Sequence, residues 1–389
     1  MLNRRVLRVK AMQALYSYFL MKASLRELVE EELLLKYALD PAIHDFGDRD
    51  IFEAKQLTIK NSFGAFFTEG HHGTSPDLTE EDVRAIKNSI LSYEYLINLE
   101  LAKIQKNMLA EREQILHLYL KILLLPAEFA FVDKQDREKI KSSFLKKNGY
   151  GGLSENVIID RIKTNPELNR LVKSNEISWQ SDIDQIRQWH RDVLKKDPYF
   201  IENQSLETPT AAQHLDLVKY IFKKVIFKNE VLEAYFDKND LRWNENKPII
   251  KSMVLKTIKI FEDGAEESLT LQSLSHNEDE DFDYLKKLFS QTVEKEYELE
   301  QIIGKKANNW DVSRMAVTDM IILKMALTEM MIFPSIPVKV TINEFIEISK
   351  NYSTPKSKQF VNGILDVLAN ELSSKGIIKK SGRGLIDNK

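Results

Sequence analysis

Four cations, Arg4, Arg5, Arg8 and Lys10, open the chain with no acid among the first ten residues. Guanidinium groups make forked contacts to phosphate and stack on bases, so these residues suit the backbone of a single-stranded nucleic acid. The plain alternative is a solvated basic helix end, because short basic runs are weak motifs. Bond-making chemistry is poorly provided for. None of the 389 residues is cysteine, which excludes thiolate nucleophiles, thiolate metal sites and disulfides. No G-x-G-x-x-G occurs, and the glycine clusters at 149–152 and 382–384 have no strand before a helix. His71 and His72 lack a matched ligand set. The acidic run 276–283 holds Glu278, Asp279, Glu280, Asp281 and Asp283. It reads as a solvated linker or as carboxylates for Mg or Ca, without the spacing of a calcium loop. No catalytic residue, metal or cofactor is expected.

The elements that must position these cations are helical. Only 13 Gly and 10 Pro interrupt a chain that is 43% hydrophobic and 30% charged, which predicts an all-α fold. A first helix is expected over 3–22, capped by Asn3, with Val6, Val9, Gln13, Tyr16 and Leu20 as its mostly apolar face. Arg4 and Arg8 then share a side, and Arg5 lies nearer the apolar edge. Further helices are expected at 24–39, 79–109 and 111–125, with loops at 63–76, 148–152 and 204–209. Thr79-Glu80-Glu81-Asp82 is a start signal. Near the end, an apolar helix containing 315–327 stops at Pro334 and Pro337. A helix over 340–350 follows, and Thr354-Pro355 caps the last core helix, which ends before Gly376. A net charge of −3 means that any nucleic-acid site is a local patch. No apolar stretch reaches a membrane span and no signal peptide is visible, so a cytoplasmic protein is expected.

Asp216, Lys219, Phe222, Leu232, Glu233, Lys238, Trp243 and Met253 recur 67 residues later as Asp283, Lys286, Phe289, Leu299, Glu300, Lys305, Trp310 and Met320. This is either a duplicated helical unit or two similar amphipathic patterns.

A family resemblance lies at the two ends. Residues 336–350, from Ile336-Pro337-Val338-Lys339 through Asn343-Glu344 to Lys350, are similar to the NusB pattern VPYKVAINEAIELAK. Residues 357–366, with Phe360-Val361-Asn362-Gly363, resemble its KFVNGVLD, and 322–330 its VLRIALYEL. Arg4-Arg5, Arg8 and 11–17 resemble its arginine-rich opening followed by QALYS. The chain departs from the family in placing Lys356 where an acid often precedes the last motif.

That resemblance implies NusB-like helical bundles with an additional helical region. The expected parts are the arginine-rich helix (1–22), a helical insertion (23–210), a possible duplicated unit (211–275), the NusB-like C-terminal subdomain (276–374) and a basic tail (375–389). It implies a non-enzymatic antitermination factor that binds boxA RNA together with NusE, within the RNA polymerase antitermination complex, to promote ribosomal RNA transcription. Arg4, Arg5, Arg8, Lys10, Gln13, Lys358 and Gln359 are then the candidate RNA contacts, with Tyr16 assigned to core packing. Asp319, Lys324, Glu329 and Glu344 are the candidate partner contacts, each equally readable as solvent-facing charge. Methyltransferases with a NusB-like domain need a cysteine and a cofactor loop that this chain lacks. The remaining rival is a helical adaptor of NusB-like fold without RNA binding.

Overall fold

Few helix breakers leave long uninterrupted segments. A computed structural model describes residues 4–39, 49–69, 77–142, 152–260, 271–272, 277–306 and 315–388. Among these residues there are fifteen α-helices and no strand. The first three are long: α1 (Arg4–Leu35), α2 (Arg49–Glu69) and α3 (Glu80–Ser142). Shorter ones follow as α4 (Val157–Thr164), α5 (Pro166–Ser174), α6 (Ile183–Asp192), α7 (Pro198–Gln204), α8 (Ala211–Tyr220), α9 (Glu230–Asn239) and α10 (Trp243–Lys259). The last five are α11 (Glu278–Glu294), α12 (Glu296–Lys306), α13 (Val317–Ile332), α14 (Val338–Tyr352) and α15 (Ser357–Ser374). The helices expected at 3–22 and 24–39 are thus one, and so are those at 79–109 and 111–125. No breaker separates either pair, and α3 carries Pro126 within it. Helix α2 runs through the expected loop as far as Glu69, and Asn3 lies outside the described residues.

Two compact units form, divided within α3. One contains Arg4–Leu109 and Glu280–Lys389; the other is Ala110–Asp279. The described residues between 23 and 109 therefore belong to the same compact unit as the chain ends. The reason is a cluster in which Val29 and Leu33 of α1 meet Ile59 and Phe63 of α2 and Ile86, Ile90 and Tyr93 of α3. A second cluster in this unit joins Leu7, Ala11, Met12 and Leu15 to α13, α14 and α15 through Ile322, Met325, Phe345, Val361 and Leu365. Each fully buried Leu contributes about 2 kcal/mol.

The buried face of α1 is Leu7, Arg8, Ala11, Leu15 and Tyr18, not the expected Val6–Tyr16–Leu20 face. Tyr16 and Leu20 are exposed, at 41% and 44%. Thr79 and Asp82 form the expected start of α3. The Asp82 backbone N–H donates to Thr79 Oγ1 (3.3 Å), and the Thr79 N–H donates back to Asp82 Oδ2 (2.8 Å). Burial raises the Asp82 carboxyl pKa, but Lys55 and Thr79 overcome this and hold it at about 2, below the ordinary 3.8. A depressed carboxylate stabilises the fold above its unfolded pKa and loses that contribution as pH falls through the folded value. Asp82→Asn should therefore cost about 1–2 kcal/mol at neutral pH. In denaturant titrations the deficit should shrink as pH is lowered from about 4 to 2.

The other unit buries Trp179, Trp189, Phe236 and Trp243, and Trp179 Nε1 donates to the Lys121 carbonyl (2.7 Å). Where no such stretch was expected, α3 holds within Glu80–Lys139 a segment that is apolar and long enough, by length and composition, to cross a membrane. Its apolar side chains Ile115, Leu120, Ile122, Leu123, Leu125 and Phe129 are buried in helical core. The 67-residue offset also carries helix boundaries. Shifted by it, α8 with its π-helical continuation (Ile221–Ile226) falls on 278–293, and α9 on 297–306; α11 spans Glu278–Glu294 and α12 spans Glu296–Lys306. Phe222 and Phe289 are both buried, as are Leu232 and Leu299. Trp310 lies outside the described residues.

Candidate nucleic-acid interface

Arg8 points from α1 into the contact with α13 and α14. Glu329 stands opposite, on a helix apolar around its whole circumference. A buried carboxylate needs donors on every lone pair, and Glu329 has them. Arg8 Nε donates to its Oε2 (2.7 Å), Arg8 Nη2 to Oε1 (2.8 Å) and Thr341 Oγ1 to Oε1 (2.7 Å). The Tyr284 hydroxyl completes the set. Burial works against the Arg8 charge, but the Glu329 hydrogen bonds and the surrounding negative charge outweigh it and raise its pKa. Burial, with Glu329 beside it, pushes the Tyr284 phenol well above its usual range.

Around this pair the surface is also ionic. Arg5 donates through Nε and Nη2 to the two carboxylate oxygens of Glu344 (2.8 and 2.7 Å). The Arg5 hydrogen bond chiefly, with help from the Arg8 charge, holds the Glu344 carboxyl below the ordinary value. Only two of the five guanidinium N–H groups of Arg5 are used for this, so three remain for another acceptor. Arg4 pairs with Glu280 and lies over the Tyr284 ring, 5.4 Å from its centroid. Residues 278–283 of the acidic run are therefore the start of α11 rather than a linker, and Glu280 among them holds Arg4. No metal-binding cluster is found among the described residues.

Helix α14 joins the two ends of the chain. The carboxyl of Glu347 is lowered by the Lys350 hydrogen bond first, and then by the charges of Arg5 and Lys358. Arg5 at the start of α1 is bonded to Glu344 of α14, and α15, whose first turn bears Lys358, packs against the same helix. Lys356, Lys358 and Gln359 are exposed.

Several expected contacts are placed elsewhere. Arg8 and Lys10 are buried, at 2% and 4% exposure, and Gln13 is half-buried. Among the candidate partner residues, Asp319, Lys324 and Glu329 are buried instead of solvent-facing. Asp319 accepts from Ser357 Oγ (2.7 Å), tying the start of α13 to that of α15. Lys324 donates to Glu300 (2.6 Å) and lies 4.4 Å from the Phe19 ring centroid. Glu344 alone of the four reaches solvent, with its side chain 21% exposed. Tyr284 and Thr341 were not anticipated, although charged residues on an all-round apolar helix signal that polar partners must sit opposite.

The NusB family model matches residues 249–370. The transcription antitermination protein NusB of Chloroherpeton thalassium is 46% identical over 105 residues, covering 27% of this chain and 50% of that protein. The NusB protein of Salinibacter ruber is 44% identical over 104 residues, covering 27% of this chain and 65% of its own length. For the NusB protein of Natranaerobius thermophilus the values are 32% over 127 residues, 32% of this chain and 89% of that protein. The chain thus spans half to about two thirds of the first two relatives and nearly all of the third. No solved structure matches the chain. A family model over 249–370, which takes in α11 to α14 and most of α15, together with a 32% identical match over 89% of a NusB relative, makes this chain a member of the NusB family.

Proposed function

We propose that this chain is a non-enzymatic, cytoplasmic transcription antitermination factor. It binds boxA-type RNA together with NusE, in the RNA polymerase antitermination complex that promotes ribosomal RNA transcription. The observation that carries the proposal is that Arg5, at the start of α1, is fixed on α14 by its fork to Glu344, while α15, whose first turn bears exposed Lys358, packs on the same helix. Single-stranded RNA needs such cations along its backbone and tolerates their pairing with acids when donors are left over. Arg4 supplies a further cation, and Gln359 a neutral donor and acceptor. Arg8, Lys10, Asp319, Lys324 and Glu329 act from inside, by fixing the helices that carry these groups. Glu344 is the remaining candidate for the partner surface.

The adaptor reading draws on one specific feature: Arg4 and Arg5 are already paired with Glu280 and Glu344. Titrating boxA-like RNA with the full chain at several salt concentrations, with and without NusE, separates the two. The proposal expects affinity to fall linearly with salt on logarithmic axes, by about 0.7 in slope for each phosphate held. Absence of binding with NusE present, or binding indifferent to salt, favours the adaptor.

A further inference from the structure

Helix α15 ends in a reversal. Gly376, at φ +67, donates its N–H to the Ser373 carbonyl (3.0 Å), and Ile377 N–H donates to Leu372 (2.9 Å). This paired closure turns the chain back on itself and sends Ile378 into the core, where it is 7% exposed. The next residues are Lys379-Lys380-Ser381-Gly382-Arg383-Gly384, three cations with no acid.

They are held against the α13–α14 connection. Lys380 Nζ donates to the Phe333 carbonyl (3.0 Å), at the C-terminal end of α13 where a cation is favoured. Ser381 N–H donates to the Pro334 carbonyl (3.0 Å), and Gly384 N–H to Ser381 (2.9 Å). Gly384 is buried, and a Cβ there would collide with the Pro334 carbonyl oxygen. Lys379 and Arg383 remain exposed. Phe333, which anchors the segment, packs its ring against Tyr284 at 4.8 Å between centroids, and Tyr284 lies under Arg4. The docked tail is thus bonded to the backbone of Phe333, whose ring touches the same Tyr284 that lies under Arg4.

We propose that this segment is a second contact for the RNA backbone, in which docking on Phe333 and Pro334 presents Lys379 and Arg383 to phosphates beyond those reached by Arg4 and Arg5. The inference rests on the RNA-binding function proposed above. Its chemistry is that of the first site: guanidinium and ammonium donors on a rigid support, with Lys380 committed to the support.

The test uses the full chain and boxA-like RNA at several salt concentrations. Lys379→Gln with Arg383→Gln should weaken binding about 25-fold near 0.1 M salt and lower the salt slope by about 1.4, the value for two single-strand phosphate contacts. Gly384→Val keeps both cations but removes the docked geometry. It should weaken binding in the same direction and speed hydrogen exchange at Ser381. Wild-type affinity and slope in the Lys379/Arg383 variant, beside a wild type that binds, overturn this inference alone. So does unchanged affinity in a Gly384→Val chain whose tail has loosened. A wild type with no RNA affinity overturns both this inference and the function beneath it.

Discussion

Arg8→Met is expected to destabilise the unit built from the two chain ends by about 3–5 kcal/mol, the cost of breaking a buried pair by removing one partner. The pair is fully enclosed: the side chains of Arg8 and Glu329 are 3% and 0% exposed. Without the guanidinium, Glu329 keeps only the Tyr284 and Thr341 hydroxyls, and an unbalanced negative charge stays in the core. Glu329→Leu leaves the converse problem, eased because Arg8 Nη1 lies 3.5 Å from Glu344. The Glu329 variant should therefore be the milder of the two. Combining Arg8→Met with Glu329→Leu removes both charges at similar volume, so the double variant should be more stable than Arg8→Met alone. Urea titrations of the three variants measure this directly. A loss below about 1 kcal/mol in Arg8→Met would mean that Glu329 holds no uncompensated charge in the folded protein.

This pair also marks where the sequence could and could not be read. The last two core helices were legible because Pro334 and Pro337 separate them from α13 and the family motifs fall on them, although α15 begins at Ser357 with Lys356 as its N-cap, after the Thr354-Pro355 cap that was expected to open it. The start of α3 was legible because Thr79 and Asp82 satisfy each other locally. The buried face of α1 was not: apolar residues fall on more than one side of that helix, and periodicity says nothing about which side a partner covers. Contact with α13 decides it, by burying Arg8 beside Leu7 and Ala11 and leaving Tyr16 outside. The same gap hid the affiliation of 23–109, since Val29 and Leu33 only acquire meaning once Phe63 and Ile90 lie against them. Helix α13 held a signal that could have been used. It is apolar on every side, so Asp319, Lys324 and Glu329 on it had to be buried and paired rather than displayed to a partner. The 67-residue offset sharpens that contrast. Lys324 corresponds to Thr257, Tyr284 to Leu217 and Asp319 to Ser252, while Glu329 and Glu300 correspond to Glu262 and Glu233, so the earlier residues keep apolar positions and these acids but lack the lysine and the phenol that answer them. We propose that they are a copy retained for packing, which leaves the candidate RNA surface in the unit formed by the chain ends.

Replacing Arg4, Arg5 and Lys358 together by Gln should lower affinity for boxA-like RNA about 100-fold near 0.1 M salt and reduce the salt slope by about 2, the effect of three lost single-strand phosphate contacts. The choice of residues follows from burial. Arg8 is excluded because its loss would destabilise the support, and a change in binding would then carry no clear information about contact. Glutamine is preferred to glutamate because an acid at position 5 would face Glu344, and one at 358 would lie near Glu347; repulsion there would disturb α14. Releasing Glu344 and Glu280 from Arg5 and Arg4 leaves two carboxylates at the surface, where water can solvate them, so stability should change by less than about 1 kcal/mol. The two readouts then separate cleanly: circular dichroism and the urea midpoint stay near wild type while the RNA titration shifts. If the triple variant binds with wild-type affinity and slope, the cations gathered on α14 do not hold RNA, and the arginine end of α1 serves only to build the helical core around Arg8.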